Sequence, residues 1–165
     1  MNIKICADYI PRKGTRDSAC YDLIAKSDPI IFGKLHGFDF YSSIDYIEYN
    51  TCVQLQPDWG YYVKIYPRSS ISKYNLLLCN SVAVGDNDYR GDYKLRFKYI
   101  AQPEDMVYDE KSKRASCRIN YDKIYRMNDR IAQITACRME NIDWEEDRRL
   151  EETLRKDGGF GSTGA

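Results

Sequence analysis

NSVAVGDNDYRGD, from Asn80 to Asp92, sets β-forming residues against a polar tip, and its reading decides the fold. Val82, Ala83 and Val84 favour a strand, and Gly85 permits a bulge or a close approach just before Asp86. Upstream, Asn80 ends the apolar run Leu76, Leu77, Leu78, Cys79. Downstream, Tyr89, Arg90 and Gly91 close a turn into Tyr93 to Tyr99, where apolar and basic residues alternate as in a strand with one exposed face. The segment is expected to be a binding hairpin that presents an amide, a carboxylate and a ring among small residues. An ordinary surface hairpin is the other reading.

Working outward, 165 residues suit one domain with a real core, and abundant Tyr, Ile and Val with few long helical periods favour an all-β class. Zero formal net charge gives no broad field for a polyanion, so such a partner must be gripped locally. Neither a nucleic-acid nor a membrane partner is expected. MNIKICADYI lacks a basic segment followed by a long apolar one, and no window is long enough to cross a bilayer, so a soluble, intracellular chain is expected. Six cysteines, Cys6, Cys20, Cys52, Cys79, Cys117 and Cys137, are widely scattered and share one histidine, His36. That spacing is no zinc pattern; free, mostly buried thiols are the expectation, with disulfides the alternative.

Toward the N-terminus, Ile3, Ile5 and Ala7 mark a first strand over Met1 to Tyr9, and Pro11 to Asp17 is a charged loop. SACYDLIA, Ser18 to Ala25, holds Asp22 between apolar neighbours, either capping a turn or helping to hold a hydrated metal. Strands are expected around Ile30 to Phe32, Thr51 to Leu55 and Tyr61 to Tyr66, with no chemistry for the aromatic stretch through Phe38, Phe40 and Tyr41. PRSSISK, Pro67 to Lys73, presents a guanidinium and three hydroxyls. These suit phosphate oxygens, or else form a solvated turn.

Toward the C-terminus, Pro103 to Ser116 is charged and reads as an exposed loop or insertion. Arg118 to Tyr125 is strand-like, Asn128 and Asp129 turn the chain, and RIAQI, Arg130 to Ile134, is a buried strand with one interior amide, Gln133, that needs partners. Trp144 to Lys156 pairs Glu145 with Arg149 and Glu151 with Arg155 at helical spacing. GGFGSTGA, Gly158 to Ala165, has the composition of a flexible tail, though a linker has no need of the Phe160 ring.

SACYDLIA, PRSSISK, NSVAVGDNDYRGD, RIAQI and RKDGGFGSTG, in that order, resemble the five motifs of the homotrimeric dUTP diphosphatases (dUTPases). They span the chain from near its start to its last residues. The resemblance implies an all-β distorted jelly-roll barrel over 1–149, an arm over 150–165, and a homotrimer with sites between subunits. It further implies hydrolysis of dUTP to dUMP and pyrophosphate with Mg2+, limiting dUTP and supplying dUMP for thymidylate synthesis. The setting it suggests is cytoplasmic, with a nuclear or virus-encoded one left open.

By the same resemblance, Asp86 orients and deprotonates the attacking water, a task that suits a carboxylate enclosed by small residues. Asn80 and its backbone read the uracil edge, Tyr89 lies under the deoxyribose, and Phe160 stacks on the base. Arg68, Ser69, Ser70, Gln133, Arg155, Gly161, Ser162 and Thr163 hold phosphates, and Asp22 meets magnesium through water. The arm would close on a neighbouring subunit and exclude bulk water.

Four positions depart from the family pattern. Cys20 stands where Gly or Ala is common, Ala83 and Gly85 replace Gly and Ile, and Lys156 replaces Gly after the arm's Arg. Gly85 is expected to loosen the hold on Asp86. Over Trp144 to Lys156 the resemblance favours an extended arm over the helix that propensity suggests. Two other functions compete. A dCTP deaminase of the same fold needs a catalytic Glu in the strand that here reads KLRF, where Arg96 cannot do a carboxylate's proton transfer. A catalytically silent nucleotide-sensing or interaction protein would keep the fold without turnover.

Overall fold

Alternating residues become strands wherever one face can be buried, and twelve strands form among the described residues, 1–110 and 113–158 of this computed structural model. They are β1 (Ile3–Ala7), β2 (Tyr21–Ile24), β3 (Ile30–Leu35), β4 (Tyr41–Asn50), β5 (Val53–Pro57) and β6 (Tyr61–Pro67). After these come β7 (Leu76–Leu78), β8 (Ala83–Gly85), β9 (Lys94–Tyr99), β10 (Met106–Asp109), β11 (Arg114–Cys117) and β12 (Arg130–Arg138). One antiparallel sheet runs β2-β12-β6-β8, a second runs β10-β11-β4-β9-β7 with β3 also paired to β4, and β1 pairs with β5. The sheets curl around one core as a distorted jelly-roll barrel.

The strand pattern explains that core. In β9, Leu95 and Phe97 point inward while Lys94, Arg96 and Lys98 face out; in β6, Val63 and Ile65 do the inward work. Each such side chain contributes roughly 1.5–3 kcal/mol by leaving water. Tyr49, Phe97 and Tyr125 meet edge to face at centroid distances of 5.6–6.1 Å, which fixes the packing of β4 on β9 and on the turn before β12.

Several sequence expectations change. The stretch Asn80 to Asp92 is not a simple two-stranded hairpin, because β8 pairs with β6 in one sheet and β9 with β7 and β4 in the other. It is an excursion between sheets, enclosed by the β7–β9 pairing. Pro103 to Ser116 is not a plain loop: a 3-10 turn at Pro103–Asp105 leads into the β10–β11 hairpin, anchored where the buried Asp105 accepts from the Tyr99 hydroxyl at 2.7 Å and from the Gln102 amide at 2.8 Å. Arg118 to Tyr125 is not a strand but an irregular segment with a 3-10 turn at Tyr121–Lys123, whose Ile119, Ile124 and Tyr125 plug the core. All six cysteines are free as expected, yet Cys117 alone among them is buried. Trp144 to Lys156 forms no helix, in keeping with the extended arm expected, since its charged faces find no packed surface to lie on.

Candidate active site

Within the β2-β12-β6-β8 sheet, Gln133 on β12 stands opposite Asp22 on β2 and opposite Tyr66 on β6. Strand β6 ends one residue before Arg68, so the guanidinium falls beside both neighbours. Arg68 Nε donates to Asp22 Oδ1 at 2.8 Å, and its Nη1 reaches the Ser70 hydroxyl at 3.3 Å and the Arg130 carbonyl at 3.4 Å. Arg130 Nη1 donates to the other Asp22 oxygen at 3.2 Å. Gln133 finds the partner that its position demanded, donating to the Pro67 carbonyl at 3.0 Å. Ser69 is exposed at the start of a 3-10 turn, Ser69–Lys73, in which the Ser72 hydroxyl donates to the Ser69 carbonyl.

This group is a cationic cradle built around one carboxylate. Asp22 keeps two guanidiniums ordered, and their remaining N–H groups, with the Ser69 and Ser70 hydroxyls, suit an anion. Beneath it, burial pushes the Tyr125 phenol up to about 12, an effect partly offset by the nearby Arg68 charge and Ser70 hydroxyl. Among the described residues no three His, Cys, Asp or Glu side chains converge as a metal site. Asp22, with both oxygens ion-paired to Arg68 and Arg130, is the one carboxylate within this cradle.

At the other edge of the sheet lies a cavity of about 610 Å³ whose lining includes Asn80, Ala83, Asp86, Tyr89, Tyr93 and Arg96. The Asp86 carboxylate is exposed and makes no hydrogen bond or ion pair with another described residue, so it is free to act on a solvent molecule. Tyr89 folds back over Gly91, where a β-carbon would sit 2.8 Å from Tyr89 Cζ, and its hydroxyl donates to the Asp92 carbonyl at 3.0 Å. That leaves the ring 45% exposed, presenting a face to the cavity.

The tip is fastened by polar side chains whose partners the sequence alone does not name. The Asn87 amide donates to the carbonyls of Pro57, Asp58 and Tyr61 at 3.3, 2.9 and 2.8 Å. Arg90 Nη1 donates to the carbonyls of Asn87 and Tyr89, and Asp92 accepts from Asn50 at 3.1 Å and from Gln54 at 2.9 Å. Those two amides hold the Asp92 carboxyl below the usual range. Their signal was the burial demand of polar side chains, but nothing local names partners 38 and 42 residues away.

Gly85 does not leave a gap beside Asp86. It is buried against Val63 and the Tyr93 ring, so the expected loosening of Asp86 is not seen. Arg96 donates to Glu48 Oε2 at 2.8 Å, and Lys94 lies 3.7 Å from Glu48 Oε1, so this carboxylate near the cavity is held by two cations.

The structure thus brings together Asp22, Arg68, Ser70 and Gln133, and separately Asn80, Asp86 and Tyr89, but not the two groups. Arg68 lies past one end of β6, while Asp86 directly follows β8 near the other end, where Gly85 faces Val63. At about 3.3 Å per residue that separation is roughly 15–20 Å. Arg155 is exposed, donates to the Gly158 carbonyl at 2.8 Å and contacts neither group by hydrogen bond or ion pair. Phe160, Gly161, Ser162 and Thr163 lie outside the described residues.

Barrel, cavity and cradle together describe a nucleotide-binding jelly roll. No protein-family model matches the chain. A curated relative named deoxyuridine 5'-triphosphate nucleotidohydrolase, from Rickettsia canadensis, is 32% identical over 156 residues, covering 94% of this chain and 88% of the relative. A second of the same name, from Rickettsia felis, is 33% identical with the same coverage. Among solved structures, a Staphylococcus bacteriophage 80alpha dUTPase with dUPNHPP superposes with a TM-score of 0.71 over 99% of both chains at 17% identity, a likeness of fold. The chain belongs to the deoxyuridine 5'-triphosphate nucleotidohydrolase (dUTPase) family.

Proposed function

We propose that this chain is a dUTP diphosphatase, hydrolysing dUTP to dUMP and pyrophosphate, and that Asp86 is its general base. The observation that carries the assignment of the base is the unengaged Asp86 carboxylate at the cavity shared with Asn80 and Tyr89. Asn80 reads the uracil edge, and the Tyr89 ring lies under the deoxyribose and leaves no room for a 2′-hydroxyl. Asp86 takes a proton from one water as its oxygen attacks the α-phosphorus. The bond from that phosphorus to the bridging oxygen breaks, and pyrophosphate leaves.

Arg68, Ser69, Ser70 and Gln133 receive the phosphates and stabilise the charge that gathers on the bridging oxygen. Magnesium, when bound, neutralises triphosphate charge, and Asp22 orients its waters. One of the solved dUTPases, from phage phi11 of S. aureus, is described with a structural Mg(II) ion. A complete site takes the cradle of one subunit and the cavity of another, in a homotrimer. Residues 150–165 form the arm that crosses to a neighbour, where Arg155, Phe160, Gly161, Ser162 and Thr163 cover the substrate.

Incubating the pure protein with magnesium and dUTP, dCTP or dTTP tests this. Pyrophosphate from dUTP alone is expected. Ammonia from dCTP would mean a deaminase, against which stands the ion-paired Arg96 in place of a free Glu. Binding of dUTP without any product would mean a silent sensor.

A further inference from the structure

Asp22 and Arg130 of the cradle also line a second cavity, of about 370 Å³, together with the apolar Tyr9, Ile10 and Ile24 and the exposed cations Arg12 and Lys13. Its frame is fixed: the Tyr9 hydroxyl accepts from the Ile24 amide at 2.8 Å, and the Arg12 carbonyl accepts from the Asp22 amide at 2.9 Å. Asp22 is the single acid among the lining residues, and both its oxygens are taken by Arg68 and Arg130. The guanidinium of Arg12 and the ammonium of Lys13 form no ion pair with a described residue, and Lys13 stands over the Tyr21 ring, 5.4 Å from its centroid. The hollow is apolar and its cations are unspent, so it suits an occupant that is both apolar and acidic.

This chain carries such a segment. Past β12 runs IDWEED, residues 142–147, with four carboxylates around one indole. It belongs to no helix or strand, Ile142 and Trp144 are 64% and 88% exposed, and the carboxylates of Asp143, Glu145 and Glu146 engage no described residue. In an extended chain Ile142 and Trp144 point to one side, so both apolar side chains can meet one surface while acids reach its edges. The unengaged acids and the unengaged cations are complementary, and neither set finds its partner within one chain.

We propose that this cavity is the dock for residues 142–147 of a second copy of the chain, with Trp144 seated against Tyr9, Ile10 and Ile24 and the acids set against Arg12 and Lys13. This rests on the reading that the arm of one subunit crosses to another. Because Asp22 and Arg130 belong to both cradle and cavity, a segment held here lies beside the phosphate site. Arg155 follows Trp144 by eleven residues, which span up to about 36 Å when extended, enough to reach the cradle from that anchor. Docking delivers the arm to one neighbour before closure. The indole, which buries about 150–250 Å², supplies most of the hold, while exposed charge pairs set orientation and partner.

Trp59→Phe changes an exposed turn residue and leaves Trp144 as the single indole. In that protein, Trp144 emission is expected to lie to the blue of the urea-unfolded chain, with acrylamide quenching about threefold weaker. Arg12→Glu with Lys13→Glu should bring both readings to the unfolded values while circular dichroism keeps the barrel spectrum, and should lower kcat/KM for dUTP about three- to tenfold. Adding Glu145→Arg and Glu146→Arg should recover most of each loss. Unfolded-like emission in the Trp59→Phe protein, or protection that the charge reversal leaves intact, overturns the inference. Reassorted with tryptophan-free chains that bear the reversed cations, the Trp144 chains should lose part of their protection; full retention would mean that the segment docks on its own barrel, which overturns the second copy as the partner. These readings need no turnover. A docked Trp144 in a protein that leaves dUTP intact would reject the diphosphatase reading alone, whereas full turnover beside an undocked Trp144 rejects only the dock.

Discussion

At the scale of residues, Asp86 and Asp92 stand on one excursion and live in opposite environments. The Asp86 carboxylate is engaged by no described residue, whereas that of Asp92 is locked by Asn50 and Gln54. Replacing Asp86 with Asn should lower kcat by about 10²–10⁴-fold while leaving dUTP binding nearly intact, as measured by single-turnover kinetics and calorimetry. Asp92 bears on stability instead. Its carboxyl is held below the unfolded value of about 3.9, so it contributes stability above that pH and loses it as pH falls through the lower folded value. Thermal melts should show Asp92→Asn flattening the decline of wild type below about pH 4. Asp86 was legible from its motif; the partners of Asp92 were not, because they come from β4 and β5 and only the fold delivers them.

At the scale of elements, β8 shows how a three-residue strand can be exacting. Gly85→Ala would drive a β-carbon into Tyr93 and Val63, both buried in well-packed positions, and should cost about 1–3 kcal/mol in denaturant unfolding. Sequence alternation revealed β1, β6 and β9, whose apolar residues fall on one face. It did not reveal β4, the ten-residue strand Tyr41–Asn50, because Tyr41, Ser42, Ser43, Asp45 and Glu48 dilute the alternation, and the strand is stabilised by β3, β9 and β11 on its flanks. At the charged end of the chain, helical spacing formed no helix, as the extended-arm reading expected, since an isolated short helix needs a surface to pack on. Removing residues 150–165 should abolish dUTP hydrolysis while leaving the melting of the barrel unchanged, as read by activity assay and calorimetry.

At the scale of the whole molecule, the cradle lies on the β2-β12-β6-β8 sheet, whereas the cavity is lined from both sheets. A trimer weighing three 19.3 kDa chains is expected in light scattering. Asp86→Asn and Arg68→Ala should each be nearly inactive alone, yet a reassorted 1:1 mixture should recover about a quarter of the wild-type rate, because each mixed trimer contains one site with both halves intact. No recovery after proven subunit exchange would mean that both halves act within one chain.

By itself the sequence determined the all-β class and the order of the motifs, because alternation and short polar segments are local properties of the chain. Only the tertiary structure decided that the Asn80 to Asp92 stretch bridges two sheets, that Tyr93 occupies the space beside Gly85, and that Asp22, Arg68 and Gln133 meet across three strands. Those are matters of which strands pair and in what register, and pairing energy comes from neighbours distant in sequence.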